Sequence, residues 1–384
     1  MTSPAGLIKH VVIMVQENHT TDNYFLSMAP YGANVATGWP ITPNPPVADP
    51  SHDRHAYYRW LTQQGSTAAH VQFDTTTDLP FYAWLAASGA FLENHCSGFG
   101  TNSTPNHLLI TGGQSPTLRN PPHNSQPVWD LPSLPGHAQD NNLSWKAYTG
   151  ATGYPVEFYQ QLKGSANIVR SAKPSQQFLN DAGAGKLPAL SMVWHDGPYD
   201  EHPTADVSLG MDAVWQAVDA VVQAGSWDET VFLLTWDDWG GFDDHVDTPN
   251  VEYTADGVQV AYGPRVPLLM FGGRVRPGID SRWCSHVSLP KTAIQLLGLP
   301  PLGVPRVDDD GGLADLVDLS GTGAVMPKPP AFGSQVTLPP APRPTPPAAP
   351  LPPSPVTVPK LTDEVILRDG SSLGRPNDVL ITHP

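Results

Sequence analysis

The sequence of 384 residues predicts an α/β protein with a mostly parallel central sheet flanked by helices. Three observations predict it. Short β-branched apolar runs at Leu7 to Val15, Leu187 to Trp194 and Glu229 to Trp236 read as strands buried on both faces. Between the second and third, Val214, Trp215, Val218, Val221 and Val222 recur at a helical period in a segment that starts near Met211 and ends at Gly225. A strand, a helix and a strand with short connections form a βαβ unit, which implies parallel pairing. Finally, each buried run stops at a polar cluster, as strands do when their carboxyl ends open onto a ligand.

In chain order, the first run ends at Glu17-Asn18. A carboxylate beside an amide oxygen at a strand end can hold a hard cation, and the same pair also suits a capped turn. Residues 40 to 60 are proline-rich and loop-like, with His52, Asp53 and His55 close together, and Leu79 to Phe91 is apolar at helical spacing. The segment Gly100 to His107 reads as a turn into a helix, with Thr104 as N-cap and Pro105 at the first helical position. The Ser103 hydroxyl there lies beside unpaired backbone donors, a seat for an anion or an alkoxide. The second run gives His195-Asp196 and then Asp200-Glu201-His202-Pro203. The third gives Asp237-Asp238, Gly240-Gly241 and Asp243-Asp244-His245. Adjacent carboxylates such as Asp237-Asp238 repel unless a cation or proton separates them; the plainer reading is an acidic first turn of a helix. Small antiparallel hairpins are expected around residues 250 to 270, and a last helix from Ser285 to Leu299.

Composition limits the partners. Lys plus Arg number 20 against 36 Asp plus Glu, a net charge of −16, which opposes a duplex nucleic-acid partner. A phosphate site in such a chain needs local positive charge, which a metal ion would supply. Cys96 and Cys284 read as buried free thiols. No apolar run is long enough for a transmembrane segment, and the start of the chain lacks the charged and apolar regions of a signal peptide, so that as written it reads as cytoplasmic. With 44 Pro and 34 Gly unevenly spread, residues 1–325 read as the globular unit and 326–360 as a proline-rich linker. Residues 361–384 read as a short segment, a hairpin docked on the body.

At this point the motifs show a resemblance. ENHTTDNYF is similar to the Glu-Asn-Arg-Ser-Phe-Asp-x-Tyr/Phe motif of the bacterial phosphoesterases that include non-haemolytic phospholipases C and related acid phosphatases. NSTPNHLLITG is similar to their Ser/Thr-x-Pro-Asn-Arg/His segment, and DEHP and WDDWGGFDDHV follow as further blocks in the right order. SWKAY around Trp145 resembles another, and the likeness runs from about residue 7 to 300. Departures flank the motifs: His19-Thr20-Thr21 stands for Arg-Ser-Phe, Leu26 for a common Gly, and Asp243 for an aromatic.

The resemblance implies an alkaline-phosphatase-like core and one divalent metal ion, with Ca, Mg, Mn and Zn all open. It implies Glu17, Asn18, Ser103, Asp237 and Asp238 as metal ligands and Ser103 as the nucleophile. It also implies His202 and His245 as catalytic histidines, and Asn18, Asn106, His52 and His286 as substrate contacts. The reaction implied is hydrolysis of a phosphate ester, a phosphomonoester or a phospholipid head group, through a phosphoserine. Relatives of the family are often exported, which leaves the compartment open. The contrasting expectation is a non-catalytic member of the fold that binds metal or phosphate and uses its proline-rich tail for interaction.

Overall fold

β1 (His10–Gln16) sits at the centre of the sheet because its side chains are apolar on both faces. Val11, Ile13 and Val15 enter one core, and Val12 and Met14 the other. In the computed structural model, which describes residues 6–341 apart from 64, 123–124, 249–251, 254–258, 261, 322 and 324, the other strands follow in order. They are β2 (Ala90–Leu92), β3 (His95–Cys96), β4 (Trp145–Thr149), β5 (Ile168–Arg170), β6 (Leu190–Trp194), β7 (Thr230–Trp236), β8 (Glu252–Tyr253), β9 (Gln259–Val260), β10 (Leu268–Phe271), β11 (Gly278–Asp280) and β12 (Cys284–Ser285). The main sheet has 8 strands in the order β11-β2-β10-β7-β1-β6-β4-β5. From β7 to β5 every pair is parallel, while β10 runs antiparallel to both β7 and β2. The fold is thus the expected α/β type with a mostly parallel sheet.

The helices are α1 (Thr21–Tyr24), α2 (Arg54–Thr62), α3 (Thr75–Asp78), α4 (Pro80–Ser88), α5 (Ser103–Gly112), α6 (Leu134–Asp140), α7 (Pro174–Gly183), α8 (Val207–Gln223), α9 (Ser288–Leu297) and α10 (Pro305–Asp308). Leu108 to Ile110 of α5 join α6 and α9 over one face of the sheet. Phe81 and Leu85 of α4, Phe178 of α7 and Val214 and Val218 of α8 cover the other. The predicted βαβ unit is present, but α8 carries the chain from β6 past β1 to β7, so its strands are not neighbours. Spacing cannot show this, because a crossover of that length can skip a strand.

Some details depart from the sequence reading. Leu79 to Phe91 is not one helix: α4 stops at Ser88, and Ala90 begins β2. At Gly89 an added Cβ would meet the Met270 carbonyl oxygen at 2.9 Å, so the backbone passes too close to β10 for a side chain. Helix α5 starts earlier than expected, with Asn102 as N-cap, and this makes Ser103 itself the first helical residue. Of the small antiparallel hairpins expected around residues 250 to 270, the described residues show the antiparallel pairing of β8 with β9. Both cysteines are buried and neither is in a disulfide: the β3–β12 register pairs Cys284 with His95 and Cys96 with Ser285, which turns the thiols to opposite faces.

The proline-rich stretch does not leave the body at residue 326. Met326 donates its N–H to the Val275 carbonyl (2.8 Å) and is buried in the second core. The Trp215 indole donates to the Pro330 carbonyl (2.8 Å), Phe332 packs edge-on against Trp215, and the Tyr31 hydroxyl donates to the Pro339 carbonyl. Indole and phenol donors suit such a strand, because a polyproline backbone offers carbonyls and few N–H groups. Residues 342–384, with the segment expected as a hairpin, lie outside the described residues. Among the described residues no helix is long and apolar enough to cross a membrane.

Candidate active site

Strand register builds the site. Gln16 of β1 is paired with Trp236 of β7, and Asp237 N–H continues the ladder to the Gln16 carbonyl at 3.0 Å. Glu17 and Asp237 therefore leave the sheet side by side. On the other flank Val15 is paired with Trp194, the last residue of β6. Beyond β6 the chain returns so that the Asp200 carbonyl accepts from Glu17 N–H (2.8 Å). Asn18 then turns back with φ of 66° and donates its backbone N–H to Asp237 Oδ1 (3.0 Å). Gly240, at φ of 59°, closes the Asp237-Asp238 turn over it, where a Cβ would lie 2.1 Å from the Asn18 carbonyl oxygen. Only glycine fits there.

Asp237 and Asp238 are buried, Glu17 beside them is partly exposed, and the three carboxylates repel one another. Burial, then the charge of Glu17, pushes the Asp237 pKa up to about 7, and burial with the Asp237 charge lifts Asp238 well above the usual range. Glu17 goes the other way: burial works against ionisation, but the charge and hydrogen bond of His107 outweigh it. Asp237 Oδ2 is buried and accepts no hydrogen bond. One atom each from Glu17, His107 and Asp237 lies within 4.8 Å of the others. The Asn18 amide has one end 3.2 Å from Asp237 Oδ1 and 3.1 Å from Asp238 Oδ1, and the other 2.9 Å from His202 Nε2. With nitrogen towards the carboxylates it completes hydrogen bonds; turned over, its oxygen joins theirs, an arrangement that needs a cation among them. An orphaned carboxylate oxygen and a hard oxygen donor set both fit a divalent ion.

Ser103 lines the same cleft as Glu17. Its Oγ is 3.5 Å from Asp238 Oδ2 at the N-terminus of α5. Asn106, one turn on, does not face the cleft. It accepts from Phe99 N–H (2.9 Å) and donates to the Phe99, Thr101 and Asn102 carbonyls, holding the loop that delivers Ser103. The cleft, about 360 Å³, is lined by Glu17, Ser103 and His202 on its polar side and by Pro121, Tyr154 and Phe158 on its other wall.

The structure divides the expected histidines. His202 lines the cleft: its Nδ1–H is held by the Pro203 carbonyl (2.6 Å), its Nε2 faces Asn18, and burial, which lowers its pKa, is outweighed by the Glu17 charge, for a net rise. His52 stands beside it, ring centroids 6.0 Å apart. His286 is a correction to the substrate contacts. It is buried, accepts from Gly98 N–H (3.2 Å) and donates to the Trp236 carbonyl (3.1 Å), so it braces the Ser103 loop against the end of β7. His245 is a second correction: its ring nitrogens are taken by Asp22 Oδ2 (2.6 Å) and Asn34 Oδ1 (3.0 Å), away from Glu17 and Asp237. Asp22, Asp244 and His245 form an acidic group of their own, but the buried Arg265 already neutralises it, at 3.1 Å from Asp22 and 2.8 Å from Asp244.

Other residues were missed by sequence reasoning. His107 Nε2 is 3.0 Å from Glu17 Oε1 and 3.4 Å from Asp237 Oδ2, and its Nδ1 accepts from Trp194 Nε1–H (3.1 Å). Burial lowers its pKa and Glu17 raises it, for a net rise, while the indole N–H aimed at Nδ1 opposes a second ring proton. The spacing from Ser103 to His107, one helical turn, was the available signal. Glu201 is a fully buried carboxyl group anchored by Tyr24, Tyr82, Gln16 and Trp236, and it fixes the loop that carries His202. Nothing local marks it, because its partners come from four other segments.

The sequence profile of the phosphoesterase family matches residues 47–300. The chain belongs to that family. Among related proteins, phospholipase C B of Mycobacterium tuberculosis is 26% identical over 321 residues, covering 63% of this chain and 60% of that protein. Non-specific phospholipase C6 of Arabidopsis thaliana is 29% identical over 255 residues, covering 58% of this chain and 48% of that protein. This phosphoesterase-family chain therefore spans about half to three-fifths of the length of these relatives. A solved structure of a protein in the alkaline phosphatase superfamily from Vibrio parahaemolyticus overlays with a TM-score of 0.45 at 14% identity, over 80% of this chain and 71% of that one.

Proposed function

We propose that this family member hydrolyses phosphate esters with the help of one divalent metal ion, through a covalent phosphate on Ser103. The observation that carries the reading is the Ser103 hydroxyl 3.5 Å from Asp238 Oδ2, in a cleft that Glu17 also lines, with the Asn18 amide against Asp237 and Asp238 at the carboxyl ends of β1 and β7. Those side chains would hold the ion, which when bound supplies charge neutralisation and lowers the pKa of a neighbouring hydroxyl. Ser103, its hydroxyl proton released to water, then attacks phosphorus in line, its Oγ–P bond forming as the bond to the leaving oxygen breaks. Of the N–H groups at the start of α5, Thr104 donates to Asn120 Oδ1 (2.7 Å) and Pro105 has none, which leaves the Ser103 N–H to face the charge that builds on the phosphoryl oxygens.

His202 is the group placed to give a proton to the leaving oxygen. Its Nδ1–H is fixed by Pro203, so Nε2 is the nitrogen turned to the cleft. Water entering on the same line gives a proton to His202 and its oxygen to phosphorus, and Ser103 takes up a proton from solvent as its Oγ–P bond breaks and phosphate leaves. His52, next to His202, is our remaining candidate for a substrate contact. The leaving group lies against Pro121, Tyr154 and Phe158. The phospholipase C names of the relatives make a phosphodiester substrate one arm of the test, and a phosphomonoester the other.

The test measures p-nitrophenol release from its phosphate and its phosphocholine ester, with and without chelator, for the wild type and Ser103→Ala. Turnover that chelator abolishes and that falls by about a thousandfold or more in the variant is expected. Metal-replete wild type that turns over neither ester nor a phospholipid would support the binding-protein reading instead.

A further inference from the structure

The side chain that steadies Glu17 is itself steadied from the core. Trp194 closes β6 in register with Val15, two residues before Glu17, and packs on the sheet face that α5 covers. From α5, His107 reaches between them, 1% exposed at its side chain. An indole nitrogen can only donate, so the ring atom that faces it must accept. Trp194 Nε1 is 3.1 Å from His107 Nδ1, which leaves the proton of a singly protonated ring on Nε2. Nε2 in turn stands 3.0 Å from Glu17 Oε1, an acceptor. The Tyr154 ring, edge-on at 5.1 Å, closes the side of the imidazole and keeps it from swinging away. Donor and acceptor therefore alternate without conflict from the core to the carboxylate.

We propose that Trp194 and His107 are positioning residues for the ion site: the indole N–H fixes the Nε2–H tautomer of His107, whose proton fixes the rotation of the Glu17 carboxylate. This rests on the ion-binding reading of Glu17 given above. If Trp194 loses its N–H, Nδ1 has no donor and the proton is free to move there. Nε2 then presents a lone pair to a carboxylate oxygen, and the contact changes from attraction to repulsion. Outer partners of this kind are worth about ten- to a hundredfold in metal affinity elsewhere.

The experiment uses full-length, metal-free protein. Nitrogen-15 imidazole spectra assign the His107 tautomer in wild type and Trp194→Phe, and Mn²⁺ and Zn²⁺ are titrated separately by calorimetry. Wild type is expected to show Nε2–H. Trp194→Phe should show a share of Nδ1–H and bind at least one of the ions about tenfold more weakly. Because a core tryptophan is altered, a second pair is read with it. His107→Gln keeps a donor near the Nε2 position and recovers most of the affinity that the similarly bulky but donorless His107→Leu loses, whereas a purely space-filling role would leave both variants alike. An Nδ1–H tautomer in the wild type, unchanged affinity in Trp194→Phe, or equal affinity in His107→Gln and His107→Leu, overturns the proposal. Failure of either ion to bind wild type would instead overturn the ion-site reading itself, and the positioning role with it.

Discussion

Replacing Glu201 by glutamine isolates what one buried carboxyl does to the stability of the fold. Tyr24 Oη and Trp236 Nε1 donate to its Oε2 (both 2.9 Å), and Tyr82 Oη and Gln16 Nε2 donate to its Oε1 (2.6 and 2.7 Å). Burial outweighs those bonds and pushes the pKa from 4.5 up to about 8. The folded protein thus keeps a proton that the unfolded chain has released. Stability from this group is full below about pH 4.5 and is lost as the pH rises towards about 8. At about 1.4 kcal/mol per pH unit, the loss between about pH 5 and pH 8 is on the order of 3 kcal/mol. Glutamine has no such proton to lose. Its NH₂ would meet existing donors, but the Tyr82 hydroxyl can reverse and Gln16, whose Oε1 has no partner, can turn over. That rearrangement costs about 1 kcal/mol. Glu201→Gln is therefore expected to be about 1 kcal/mol less stable than wild type near pH 5 and about 2 kcal/mol more stable near pH 8. Urea denaturation of both proteins, with chelator present, reads the gap directly. A gap that stays constant across the range refutes proton uptake by Glu201 on folding.

Gly240→Ala should lose about 2 kcal/mol or more in denaturant and bind Mn²⁺ or Zn²⁺ more weakly, since its Cβ would force the Asn18 carbonyl away; wild-type stability and affinity would show that the turn can yield. Arg265→Met leaves Asp22 and Asp244 buried with no guanidinium and should cost about 3 to 5 kcal/mol in chemical denaturation. A loss below about 1 kcal/mol would mean that His245 alone suffices as their counter-charge.

The parts of this site that could be read early are those set by short-range pattern. Glu17-Asn18 and Asp237-Asp238 each follow a buried strand directly, so once β1 and β7 are parallel their place is fixed by register. Ser103 is legible as the head of a helix, although Pro105 drew the expected cap two residues too far along the chain; Pro at the third helical position is tolerated because its missing N–H has no helical acceptor. The histidines were legible only as candidates. His245, Asp22 and Arg265 lie more than 200 residues apart at their extremes, and the ion pair that claims His245 cannot be seen in the motif that contains it. His286 and Asn106 have polar side chains that served backbone groups of the Ser103 loop instead of a ligand.

By itself, then, the order of residues determined the α/β class, the strands that carry the acidic clusters and the hydroxyl opposite them, because hydrophobic period and helix-start chemistry act over a few residues. Only the tertiary structure decided that β1 lies between β6 and β7, that the proline-rich stretch lies along the body as far as Pro339, and which polar side chains face the cleft and which serve the scaffold. The physical reason is competition: a buried donor or acceptor takes whatever partner the fold brings within about 3 Å, and that partner is chosen by packing over the whole chain.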